Sequence, residues 1–168
     1  ILEHKICESI INSKERMTYG NVTKILNGDA ELAGKYAHLV PTLQMMAELN
    51  EILEKARKAR GEINFEIPEA KIILNPKTLE VESLTQRPRT VSERLIESFM
   101  LVANEVVAKK IKKLNLPFVY RVHEAPINDK IESFNDFVGA LGYNLSGKSE
   151  VIEPMEVQQF MAGLPEGD

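Results

Sequence analysis

Arg94 to Ala108 reads as a helix that is apolar nearly all the way round, yet it carries Glu97 and Asn104 seven residues apart. Seven residues is close to two turns at about 3.6 residues per turn, so both polar side chains project from one stripe. A helix apolar on every side is expected to be buried, and a buried carboxylate without a partner is costly. Glu97 is therefore expected to be paired, protonated, or open to a groove where a ligand supplies donors. Arg94, Arg87 and Arg89 are the pairing candidates. The alternative is a site, because a carboxylate and an amide side by side accept and donate hydrogen bonds to sugar hydroxyls.

The rest of the chain frames this helix. Thr90 is a cap for a start at Val91, with Glu93 in the first turn where the helix dipole favours an anion, and the helix is predicted to run to about Lys113. Leu39, Leu43, Met46, Leu49, Leu53 and Ala56 recur at threes and fours, predicting a long amphipathic helix from about Ala37 to Arg60, closed by Gly61. A short helix is expected from Asn21 to about Leu26, ended by Asn27-Gly28. Ile1 to Asn12 fits a helical face through Leu2, Ile6 and Ile10, but its alternation favours a strand. Three short extended segments follow at Ile63 to Ile67, Lys71 to Leu74 and Leu79 to Leu84, with Pro68 and Asn75-Pro76 as turn punctuation. After Pro117, Phe118 to His123 reads as a β-rich run. Helices are then expected from about Asn128 to Leu141 and from Pro154 through Val157, Phe160 and Met161. The resulting expectation is an α+β fold, with long helices packed on a small antiparallel sheet.

At 168 residues the chain has one domain's length and is read as a single segment. With 43% hydrophobic and 27% charged residues, it has the make-up of an ordinary soluble protein. A net charge of -4 argues against a surface wholly given to nucleic acid, so any polyanion site must be local. Cys7 is the only cysteine, which excludes an internal disulfide and a cysteine-based zinc site and favours a reducing cytoplasm. No apolar run approaches the roughly 20 residues of a bilayer span, so no membrane partner is expected. The chain starts on Ile1 in mid-pattern and stops in the turn-forming residues Gly163 to Asp168, and both ends read as excision points.

Few constellations suggest chemistry. Asp29, Asp129, Asp136 and Asp168 are scattered; only Asp129 and Asp136 could pair as ligands, and they more simply solvate the ends of a helix. His4, His38 and His123 stand alone, so no metal site is expected. There is no GxSxG elbow and no glycine-rich phosphate loop ahead of a helix. What remains suits RNA: aromatic rings near cations at Arg16-Met17-Thr18-Tyr19, at Phe65 after Arg57-Lys58-Ala59-Arg60, and at Tyr120-Arg121 before His123. Core packing or a solvated charge run is the plainer explanation of each. The lysines at 109, 110, 112 and 113 most simply complement a helix C-terminus.

The ordered blocks Ser13-Lys14-Glu15-Arg16-Met17-Thr18-Tyr19, Arg60-Gly61 leading to Phe65, Pro68-Glu69-Ala70-Lys71, Leu95-Ile96-Glu97-Ser98-Phe99-Met100 with Ala103-Asn104-Glu105, and Tyr120-Arg121-Val122-His123-Glu124 with Pro126 resemble the catalytic RNB domain of bacterial ribonuclease R and ribonuclease II. The spacing between blocks agrees as well. The resemblance runs from about Ile10 to Leu141 and is expected to cover the whole chain, residues 1–168.

It implies a central piece of a processive, hydrolytic exoribonuclease that shortens RNA from its 3′ end to nucleoside monophosphates with magnesium. By position, Tyr19 would line the RNA channel, Phe65 would stack on a base, and Glu97 with Asn104 would contact the terminal nucleotides. The family's aspartate-rich metal motif, its downstream arginine block and its OB-fold domains have no counterpart here. The chain is therefore expected to carry no catalytic or metal-ligating residue, to bind no Mg2+ itself, to hold single-stranded RNA, and to self-associate through surface that truncation exposes. Ser98 stands where the family's LIEE block usually has a second glutamate. The alternative reading is a non-catalytic RNA-binding or protein-interaction module that reuses this half of the fold.

Overall fold

A computed structural model of the chain describes residues 3–63, 69–86, 89–145 and 152–165. Among these the elements are α1 (Tyr19–Leu26), α2 (Ala30–Lys35), α3 (Val40–Lys58), β1 (Ala70–Leu74), β2 (Val81–Gln86), α4 (Val91–Lys113), α5 (Asn128–Gly139) and α6 (Pro154–Ala162). This is the α+β class expected from the sequence, with one antiparallel pair of strands. The chain divides into two units, Ile1–Leu53 with Ile67–Phe118 and Glu54–Glu66 with Val119–Asp168.

In the first unit, α1 starts two residues earlier than its apolar pattern suggests, because Thr18 Oγ1 accepts the Asn21 N–H at 3.3 Å and caps it. It stops at Asn27, followed by Gly28 at φ 93°, a left-handed conformation that favours glycine. Asp29 then caps α2 by accepting the Leu32 N–H at 3.0 Å. That helix is too short to announce itself by periodicity. Val22, Ile25 and Leu43 form the buried core, flanked by Met17, Leu26, Leu32, Tyr36, Leu39, Val40 and Met46. Each fully buried aliphatic side chain contributes about 1.5–3 kcal/mol.

The buried line on α3 departs from the expected one. Leu49 is exposed and Asn50 is buried in its place. Ser98 explains the exchange: its hydroxyl donates to Asn50 Oδ1 at 2.5 Å, tying α3 to α4 through two side chains that are 0% and 3% exposed.

α4 is bounded as the sequence predicts. Glu93 accepts the Thr90 backbone N–H at 3.0 Å and the Thr90 hydroxyl, closing a capping box. Lys110, Lys112 and Lys113 occupy its last turn. The expectation that the helix is buried all round fails. Only Ser92, Leu95 and Ser98 are buried, one narrow stripe at three-residue spacing, while Ile96, Met100 and Val107 are exposed.

β1 and β2 form a hairpin in which Ile72 faces Leu84 and Leu74 faces Val81. Asn75 builds the turn, its side-chain oxygen accepting the N–H groups of Lys77 at 2.9 Å and Thr78 at 3.1 Å. Every residue of both strands is exposed, so the helices of this unit pack on one another and the hairpin is no platform for them. The predicted strand in Ile1 to Asn12 is not formed at residues 3–12, and neither is the one at Phe118 to His123. Both runs alternate, but no neighbouring strand takes up their backbone groups among the described residues. The predicted extended segment Ile63 to Ile67 lies outside the described residues but for Ile63.

The second unit joins the last turn of α3 to α5 and α6. Gln158 donates to the carbonyls of Lys58 at 3.0 Å and Glu62 at 2.8 Å. Arg57 Nε pairs with Glu62 at 2.8 Å. Gly61, at φ 89°, lies so close to α6 that a Cβ there would meet the Met155 backbone nitrogen at 2.8 Å. Asn135 clamps Leu145 from both sides, accepting its N–H at 2.8 Å and donating to its carbonyl at 3.1 Å. The Phe160 ring meets Phe134 and Tyr143 edge to face, with centroids 5.7 and 6.4 Å apart.

Candidate functional site

Tyr19 is the first residue of α1 and is fixed there from the α4 side. The Ser92 hydroxyl donates to the Tyr19 carbonyl at 2.9 Å, and the Thr23 hydroxyl lies 2.7 Å from both the Thr90 and Ser92 hydroxyls. This hydroxyl cluster joins the first turn of α4 to α1, so the capping box and the position of Tyr19 depend on the same atoms. Ser92 and Thr23 carried no signal in the sequence, since the residues they join lie 67 to 73 positions apart.

Tyr19 lines a cleft of about 720 Å³. Its floor is apolar, from Val22, Leu43, Met46 and Leu95, and Lys14 and Arg16 line it from the segment ahead of α1. A ring, an apolar floor and two cations suit a base with its phosphate. Ile96, next to Glu97, lines the same cleft.

Glu97 takes the pairing that the sequence left open among three arginines. Arg89 Nη2 donates to Glu97 Oε2 at 2.5 Å, and the two side chains are 44% and 43% exposed. The stripe that Glu97 and Asn104 share is therefore open, not buried: Glu97 is half exposed and Asn104 is exposed. At about 1.5 Å rise per residue the two lie roughly 10 Å apart along the helix, too far to grip one hydroxyl group together. Phe65 lies outside the described residues. The structure thus brings Tyr19 and Ile96, the neighbour of Glu97, to one cleft and leaves Asn104 two turns beyond Glu97 along α4.

Asp29 is a helix cap and Asp129 sits in the first turn of α5, which accounts for both without a ligand. Among the described residues no three His, Cys, Asp or Glu side chains gather to hold a metal ion. Among the described residues the scattered carboxylates do not suit magnesium. No helix among the described residues is long and apolar enough to cross a membrane.

Comparison with known proteins agrees with this architecture. The family model for the RNB domain matches residues 1–166, and the chain belongs to that family. Among curated relatives, it is 43% identical over 161 residues to ribonuclease R 1 of Lactococcus lactis, covering 96% of this chain and 20% of the relative. To ribonuclease R of Escherichia coli it is 35% identical over 167 residues, covering 98% of this chain and 20% of the relative. The chain thus spans about a fifth of the length of the curated relatives it matches. The fold is similar to that of Mycoplasma genitalium RNase R in complex with ribose methylated single-stranded RNA, with a TM-score of 0.79 and 24% identity over 89% of this chain and 23% of that one. The same protein in complex with double-stranded RNA gives a TM-score of 0.80, with coverage of 89% and 26%.

Proposed function

We propose that this chain forms part of the RNA channel wall of a processive, hydrolytic 3′-to-5′ exoribonuclease that degrades RNA to nucleoside monophosphates in the cytoplasm. The observation that carries this reading is the cleft beside Tyr19, flanked by Lys14 and Arg16, in a chain that belongs to the RNB family. Tyr19 offers a ring for stacking, Glu97 accepts from sugar hydroxyls, Asn104 contacts the strand further along, and Phe65 supplies a second ring. Single-stranded RNA is the ligand, because stacking needs unpaired bases. Magnesium, which activates water and neutralises charge in phosphodiester hydrolysis, is held by residues other than these. The exposed apolar side chains Ile72, Leu74, Val81 and Leu84 on the hairpin support self-association of the isolated chain.

Two expectations test the reading. The purified chain should bind a labelled single-stranded RNA weakly, with affinity that falls as salt rises, because phosphate contacts release counterions. It should release no mononucleotides on adding magnesium. Absence of RNA binding at low salt would sink the channel-wall reading, and magnesium-dependent release would overturn the claim that cutting needs other residues.

A further inference from the structure

We infer that Arg89 is a positioning residue for Glu97, fixing one carboxylate oxygen so that the other is presented to a ribose hydroxyl. The inference rests on the proposed contact between Glu97 and RNA and adds a residue to it. Arg89 immediately precedes Thr90, the cap of α4. Thr90 is held by Glu93, Thr23 and Ser92, so the backbone from which Arg89 reaches is fixed at its next residue. From there the guanidinium lies back along the helix and bonds Glu97 Oε2 at 2.5 Å, eight residues on.

A glutamate side chain alone samples several rotamers, and the free energy of ordering it is lost from any contact it makes on binding. A guanidinium on Oε2 meets that cost beforehand, and 43% of the Glu97 side chain stays open to solvent. Charge matters too. A bare carboxylate repels the phosphates of an approaching strand, and a guanidinium at hydrogen-bonding distance cancels most of that field. An exposed pair of this kind contributes little to folding stability. A loss of binding without a loss of stability therefore separates positioning from scaffolding.

The experiment measures binding of the 168-residue chain to a fluorescent ribo-oligonucleotide and to the deoxyribo-oligonucleotide of the same sequence, reading the ratio of the two affinities. Parent chain should prefer RNA, and Glu97→Gln should reduce that preference. Arg89→Gln should reduce it by a similar factor, up to about tenfold if one hydrogen bond is lost. Arg89→Lys should restore much of it, and the double variant should fall no further than either single one. The thermal unfolding midpoint should stay the same throughout. If Glu97→Gln lowers the ratio and Arg89→Gln does not, the role given to Arg89 is wrong. If Glu97→Gln leaves the ratio unchanged, or the parent shows no preference for RNA, the contact between Glu97 and the sugar is wrong and the proposal falls with it.

Discussion

Replacing Ser98 by alanine is expected to loosen the contact between α3 and α4. The hydroxyl donates to Asn50 Oδ1 at 2.5 Å between side chains that are 0% and 3% exposed, where water cannot replace it. Losing one partner of such a buried bond costs about 1–3 kcal/mol, against about 0.5–1.5 kcal/mol for the net worth of the bond itself. For a chain of this size each kcal/mol shifts the midpoint by about 2–4 °C, so Ser98→Ala should lower it by roughly 2–12 °C. Thermal unfolding by far-ultraviolet circular dichroism, with amide exchange read separately on α3 and α4, measures the effect in the unit that contains the pair. Asn50→Leu should cost a similar amount. The double variant loses the same bond only once, so it should cost less than the sum of the singles. Singles that add to the double, or a Ser98→Ala midpoint equal to that of the parent, would refute the reasoning. Ser98→Glu should destabilise this chain more than alanine does, because it places a charge in a slot closed by Asn50.

Three further perturbations have defined outcomes. Gly61→Ala forces a Cβ to 2.8 Å from the Met155 backbone nitrogen at a φ of 89°, so it should destabilise the second unit by more than about 1 kcal/mol and raise amide exchange in α6 while leaving α1 unchanged. Asp29→Ala removes the cap of α2 and should cost about 1 kcal/mol, whereas Asp29→Asn, measured in parallel by urea denaturation, should cost a few tenths or less. Ser92→Ala removes the hydroxyl that holds the Tyr19 carbonyl at 2.9 Å, so it should weaken RNA binding as well as stability. Unchanged RNA affinity in Ser92→Ala would separate the hydroxyl cluster from the site.

The parts of the fold legible in the sequence are those whose causes are local. The start of α4 follows from Thr90 and Glu93, three residues apart, and the hairpin turn from Asn75-Pro76. The α5 and α6 helices begin at Asn128 and Pro154 as expected. The parts not legible there depend on partners distant in the chain. A strand is an element only when another strand takes its hydrogen bonds, and the alternation at residues 3–12 and 118–123 meets none among the described residues. Burial on α4 departs from the apolar pattern because the number of apolar residues says nothing of how much surface the neighbours cover, and here they cover one stripe. Asn50 is buried beside the exposed Leu49 because Ser98, 48 residues away, faces it, a cause that no local pattern carries. The ring at Tyr19 and the pairing of Glu97 with an arginine were visible as candidates. The choice of Arg89 was not, since it needs the geometry of the cap that holds it.

Photo-crosslinking tests most directly whether this face is a channel wall. The chain is irradiated with a short RNA carrying 4-thiouridine near its 3′ end, and the modified peptides are mapped. Crosslinks should fall in Lys14–Tyr19 and in the part of α4 from Arg94 to Asn104, and should fade in Tyr19→Ala. Crosslinks confined to the lysines at 109, 110, 112 and 113, with Tyr19→Ala indistinguishable from the parent, would contradict the account, because they would mark a charged helix end in place of the cleft.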